Sequence, residues 1–331
     1  MELLRILAML SILVIHVVFP VFLHPERNEI VTSPINSFVQ MYLGALTIIG
    51  VNVFVLLSGW YSIKFKYDKI AKLYFQVLFF SVLMFAVFAG SDKTQDLLDT
   101  VADIFLINDY WFIRAYLILF VMAPVLNTFA EHVERNLFRN ILIVYFVMQT
   151  LFSYLGNNIW WYDGYSPLTF WGIYLLGRYM RMYPNRLTMM NKAYDGLAYL
   201  LLSLVIAILS VLFILLANTG GRLYNYTCPL VIASSVYFFL FFTKIRFKSK
   251  TVNWIASSCV AAYLTHMNSC FFDTFFVGTI RSWINTEALP VWLSYTTLYL
   301  LLIYVVSVLI DKVQMLVFDG IASIIHRRTD S

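Results

Sequence analysis

Charge is what this sequence has least of. Asp, Glu, Lys and Arg make up 12% of its 331 residues, about half the share usual in a soluble globular domain. A water-facing surface over most of the chain is therefore excluded. Cysteine is scarce as well. Cys228, Cys259 and Cys270 lack metal-ligand spacing and lie in or beside apolar stretches, so they read as buried apolar thiols, and no metal site is expected. There is no internal repeat and no low-complexity tract. What the chain has instead is apolar residues, 61% of the total, with a mean hydropathy of +0.78.

Those residues come in runs. Reading from the start, apolar segments fall near 3–23, 38–62, 70–90, 111–129, 138–155, 167–183, 196–217, 227–243, 253–275 and 289–316. Each has about the length that crosses a hydrocarbon core. The breaks are short and polar: His24-Pro25-Glu26-Arg27-Asn28, Gly90-Ser91-Asp92-Lys93, Gly156-Asn157-Asn158 and Asn218-Thr219-Gly220-Gly221. With no water in the bilayer core, such runs are viable as helices that pair their own backbone. A β-barrel needs shorter, alternating strands, which this sequence does not offer. The pattern predicts an all-α polytopic transmembrane bundle of about ten spans, a single membrane-embedded domain over residues 1–331 with no fused soluble domain.

Basic residues set the expected orientation. Taking the breaks alternately, one side holds eighteen, from Arg5, Lys64, Lys66, Lys69 and Lys72 through to Arg327 and Arg328. The other holds four: Arg27, Lys93, Arg222 and Arg281. Arg114 falls inside a span. This asymmetry places both termini in the cytoplasm and makes the span count even. It also accounts for the net charge of +5 as topology rather than nucleic-acid binding. The first run lacks a small-residue cleavage site and carries Arg5 and His16, so it reads as mature helix rather than signal peptide.

Arg5 and His16 carry the chemistry. Eleven helical steps bring His16 to within roughly 20° of Arg5 on one face, with a separation of roughly 16 Å along the axis. Arg5 then lies at the cytoplasmic boundary and His16 about midway through a core of about 30 Å. An imidazole at that depth is costly unless it faces the bundle interior or a wet cavity, which makes it a functional candidate.

Four blocks carry a resemblance. Glu2-Leu3-Leu4-Arg5 through Ile15-His16 resembles the opening helix of the acyltransferase type 3 membrane family, with its arginine, ten residues and histidine. Gly50 to Tyr61, containing Ser58-Gly59-Trp60, is similar to that family's second-span Ser-Gly signature. Tyr110-Trp111-Phe112-Ile113-Arg114-Ala115-Tyr116, with Pro124 and Asn127, resembles its fourth-span block, and Ala262-Tyr263-Leu264-Thr265-His266 its Tyr-Leu-x-His run.

The resemblance implies an enzyme that takes an acyl group, acetyl or succinyl, from cytoplasmic acyl-CoA as donor substrate. It would deliver the group to a hydroxyl of a cell-surface polysaccharide or lipid-linked sugar, with no permanently bound cofactor and with the inner membrane of a bacterium as its location. His16 would be the general base, with an acyl-histidine intermediate left open, and Arg5 would hold or orient the CoA end. Lys69 and Lys72 suit CoA phosphates as point charges, although the family commonly has arginines in that stretch. Trp111, Arg114 and Tyr116 would meet the acceptor. Ser58, Gly59 and His266 are further candidate contacts, with helix packing and structural hydrogen bonding as their competing roles. Asp109 and Asp163 are weaker candidates for sugar hydroxyls, and His24, His132 and His326 carry no expectation. Other readings of the same spans are a transporter or flippase, which would show inverted repeats and broken helices, a non-catalytic sensor, or a glycan polymerase.

Overall fold

The computed structural model describes residues 1–88, 97–156 and 160–329. The expected breaks at 90–93 and 157–158, with Lys93, lie outside the described residues. The helices that matter here are α1 (Glu2–His16), α2 (Pro34–Thr47), α3 (Gly50–Tyr61), α4 (Tyr67–Phe88), α5 (Trp111–His132), α6 (Arg135–Gln149), α7 (Pro167–Met182), α8 (Lys192–Ala217), α9 (Pro229–Thr243), α10 (Cys259–His266) and α11 (Leu289–Thr329). Among the described residues there is no strand. Among the described residues eight helical stretches are long and apolar enough to cross a membrane, with α2 and α3 counting as one of 28 residues.

Two expected spans take other forms. The sixth is α7, only 16 residues and so about 24 Å long, started by Pro167 behind a Ser166 cap. The ninth is interrupted. Lys250–Ala256, α10, a turn at Ser269–Phe271 and a wide π-turn at Phe272–Gly278 follow one another. Asn268 restarts the helix by accepting the Cys270 N–H. Short polar side chains that cap backbone groups compete with helix continuation, which is why this run does not stay straight.

Contacts group the chain into two compact units, residues 3–65 with 115–248, and 66–114 with the segment from 249 onward. Each is built inside out relative to a soluble protein. In the first unit, α8 buries Asp195, Ser203 and Ser210 and exposes Leu197, Leu201, Val205, Ile208, Leu212 and Leu216. Its interior hydroxyls bond neighbouring helices, Ser210 to the Gly220 carbonyl at 3.0 Å and Tyr199 to that of Leu46 at 2.7 Å. In the second, α11 buries Thr296, Ser307, Asp311 and Gln314 while exposing Leu298, Leu302, Val305, Leu309 and Val313. Ser307 donates to Thr265 at 2.8 Å and Gln76 to Asp311 at 2.6 Å. Apolar outward faces with polar groups paired inward are what a lipid solvent selects. The chain is an integral membrane protein.

Candidate functional site

α1 runs unbroken from Glu2 to His16, so Arg5 and His16 keep the alignment their spacing predicts. The helix buries Leu4, Ala8, Met9, Ile12, Leu13 and Ile15. At 3.6 residues per turn these cover an arc of about 180°, and Arg5 and His16 both fall near its middle. Both are nonetheless only half-buried, while Ala8 and Leu13 beside them are 0% exposed. Its two polar residues are thus less enclosed than the apolar residues of the same face.

Immediately beyond His16 the ladder changes. Pro20 has no N–H to return to the carbonyl four residues back, which is that of His16. The chain widens into a π-turn over Val17–Val21, a local form often found at functional sites. Gly50 then brings α3 against α1: a Cβ there would stand 2.7 Å from both the Ala8 carbonyl oxygen and the Ile12 side chain.

The Ser-Gly pair on α3 divides its labour. Gly59 touches the backbone of α7, where an added Cβ would lie 2.1 Å from the Tyr174 carbonyl oxygen. Its position is taken up by helix packing. Ser58 donates to the Phe54 carbonyl at 2.9 Å, so in its 3.2 Å contact with the Tyr116 hydroxyl it accepts. Two of the candidate residues, from separate blocks, thus meet in one hydroxyl pair.

The second unit joins the third block to the fourth. Tyr110 donates to the Leu264 carbonyl at 2.8 Å, and Asn268 donates to the Tyr110 oxygen at 3.0 Å. Phe112 packs edge-on against Tyr263 at 5.7 Å. Asp109 accepts from Asn268 and from the backbone and hydroxyl of Ser269 at 3.1 to 3.2 Å; burial nevertheless raises its pKa above the usual carboxylate value. Arg114 is exposed and donates to Asn108 at 3.3 Å, while Trp111 is half-buried at the start of α5. His266 is 0% exposed, its Nδ1 2.6 Å from the Ala262 carbonyl and its ring beside Tyr263 and Phe276. A carbonyl only accepts, so Nδ1 carries the proton.

A family model described as an acyltransferase domain matches residues 1–312. The chain belongs to the acyltransferase type 3 family. No curated protein and no solved structure matches it. It is a membrane acyltransferase, and the blocks quoted above lie along its matched length.

Around this acyltransferase core the structure adds residues that the motifs did not single out. α3 ends at Ser62, whose φ of +62° is strained for a residue with a side chain. Ile63, next in line, is held on both backbone groups. Its N–H goes to the Tyr174 hydroxyl at 3.0 Å and its carbonyl accepts from Asn127 at 2.9 Å. Tyr174 in turn donates to Asn127 at 2.7 Å. Asn127 had been noted only as part of a block, and Tyr174 not at all; a tyrosine in an apolar run carries no sequence signal for such a role.

Beyond Ile63 the basic stretch opens. Lys64, Lys66 and Lys69 are exposed, and Lys72 is half-buried with its ammonium 5.9 Å from the Phe318 ring centre. Asp163, at φ +57°, bonds Asn225 and ties two loops of the first unit together. Among the described residues no cluster of three His, Cys, Asp or Glu could hold a metal. Cys228, Cys259 and Cys270 form no disulfide.

Proposed function

We propose that the chain is an acyl-CoA-dependent O-acyltransferase of a bacterial inner membrane. It crosses the bilayer about ten times with both termini in the cytoplasm, and it acts on a hydroxyl of a cell-surface polysaccharide or lipid-linked sugar. The observation that carries this reading is the pair on α1: a guanidinium and an imidazole in the middle of an otherwise buried helix face, each only partly buried.

A CoA thioester hangs on a long thin arm whose other end is polyanionic. Arg5, with Lys69 and Lys72 as further point charges, supports the phosphates on the cytoplasmic side. The arm carries the acyl group, acetyl or succinyl, towards the imidazole. His16 takes the proton from the acceptor hydroxyl as its oxygen attacks the thioester carbonyl. The C–O bond forms and the C–S bond breaks. The proton held by His16 then returns to the departing thiolate. Trp111, Arg114 and Tyr116 meet the sugar, and the Ser58–Tyr116 hydroxyl pair orients it; His266 supports the neighbouring segment.

Membranes carrying the wild-type chain or His16→Ala, given radiolabelled acetyl-CoA and succinyl-CoA, test this. Label should enter surface polysaccharide with one donor in the wild type and not in the variant, at equal membrane content. An inserted, fully active His16→Ala protein would overturn the assignment of the base.

A further inference from the structure

A groove of about 520 Å³ runs along the first unit between α6 and α7, inside the range of small-ligand sites. Along α6 it is lined by Arg139, Leu142, Ile143, Phe146, Val147, Thr150 and Leu151, continuing into the π-turn after that helix. This is an i, i+3, i+4 stripe repeated over three turns. Leu176 and Tyr179 of α7 form the other wall. The acyl-transfer residues are not part of it. Apart from its ends the wall is hydrocarbon, and Ile143 and Val147 are open to the surroundings.

Charge is confined to one end. Four arginines cluster near that end of the unit, and three have partners. Arg178 pairs with Glu131 at 2.9 Å, Arg135 stacks over Tyr183 at 5.4 Å, and Arg181 stacks over Trp60 at 5.2 Å. Arg139 is exposed, reaching only its neighbour Asn140 at 3.5 Å. Among the described residues it has no carboxylate in reach. From Arg139 to Leu151 the helix rises about 18 Å, close to the depth of one leaflet, about half of a 30 Å core. An exposed cation at headgroup level, above one leaflet's depth of apolar groove, complements one molecular shape.

We propose that this groove binds an anionic phospholipid of the leaflet on the Arg139 side. The phosphate sits on the Arg139 guanidinium and one acyl chain lies along Leu142, Phe146, Val147 and Leu176. Guanidinium–phosphate contacts are charge-assisted and forked, and the leaflet rich in basic residues is the one in which such lipids are attracted. A second copy of the chain, the other occupant an apolar face could take, would not need the exposed Arg139 guanidinium.

Native mass spectrometry of the purified full chain tests this with phosphatidylglycerol and phosphatidylcholine added in equal amounts. Wild type should retain phosphatidylglycerol in preference. Arg139→Gln should weaken that binding about tenfold and leave phosphatidylcholine unchanged, whereas Arg135→Gln should leave both unchanged. Val147→Trp, an outward-facing substitution that fills the groove, should weaken both lipids. Equal retention of phosphatidylglycerol by wild type and Arg139→Gln would overturn the proposal. So would a Val147→Trp protein that binds both lipids normally but loses a dimer seen in the wild type.

Discussion

The Tyr174 hydroxyl donates to Asn127 at 2.7 Å while receiving the Ile63 N–H at 3.0 Å, and Asn127 closes the ring by donating to the Ile63 carbonyl at 2.9 Å. Three helices' worth of sequence separation is thereby fixed at one residue, just past the strained Ser62. Removing one member leaves buried partners unpaired, at about 1–3 kcal/mol each. Tyr174→Phe and Asn127→Ala should each lower the thermal midpoint in detergent. The double variant should lose less than the sum, because both break the same ring. Strict additivity would show that the ring is not a unit.

Gly59 and Gly320 should respond in opposite directions to alanine. At Gly59 the new methyl would meet the backbone of Tyr174 at 2.1 Å, and backbone cannot swing aside. α3 and α7 must separate, at a cost of about 1–3 kcal/mol or more. At Gly320 nothing lies within 4 Å, and the helix gains about 1 kcal/mol from better propensity. Thermal unfolding of the two variants checks the contrast. A Gly59→Ala protein as stable as wild type would contradict the close crossing.

How much of this was legible beforehand depends on whether a residue's role was local. Apolar runs show as helices because backbone pairing in lipid depends on nothing else in the chain. The Arg5–His16 alignment follows from helical geometry, and α1 keeps it. The interruption at 256–269 was not legible, since serines and Asn268 within an apolar run become caps only when the neighbouring helices admit a bend. Nor was the effect of Pro20 on the His16 carbonyl drawn, although its spacing of four was in plain view. Tyr174 and Glu131 serve residues 111 and 47 positions away, and no local pattern encodes such pairings. The match of the four blocks to one family needed only their order, which is why the family was readable when these contacts were not.

Asp195 and Lys244 form an ion pair at 2.5 Å in which the carboxylate is 0% exposed. Deleting one member leaves a buried charge without its partner, at a cost of about 3–5 kcal/mol. Asp195→Leu and Lys244→Met should each reduce folded yield and thermal stability sharply, and the double variant should recover most of the loss. A double variant as unstable as the sum of the singles would mean that the pair's value lies in something other than mutual compensation.

Asp109 gives a pH dependence with a definite sign. Burial raises its pKa in the folded chain despite the bonds from Ser269, so the folded state binds the proton more tightly than the unfolded one. Stability must then fall as pH rises from the ordinary carboxylate value, about 4, through the raised one. Asp109→Asn keeps an oxygen for Ser269 and cannot ionise. Melting curves of wild type and Asp109→Asn should converge at the acidic end of this window and separate above it, with wild type the less stable. Parallel curves would show that Asp109 is not perturbed.

His266 and His16 should separate cleanly under substitution. The His266 ring is wholly enclosed and tied by Nδ1 to its own helix, one turn back. Its loss opens a cavity and strips the Ala262 carbonyl of a donor, so His266→Ala should lower stability by about 2–5 kcal/mol. Activity per folded molecule should nevertheless survive. His16 is only half-buried, at the end of α1, and His16→Ala should do the reverse, sparing the fold and abolishing transfer. Label incorporation normalised to folded protein by gel-filtration fluorescence distinguishes them. If His266→Ala left a stable but inactive enzyme, the second imidazole would belong to the chemistry, and the reaction would have to be redrawn with two histidines.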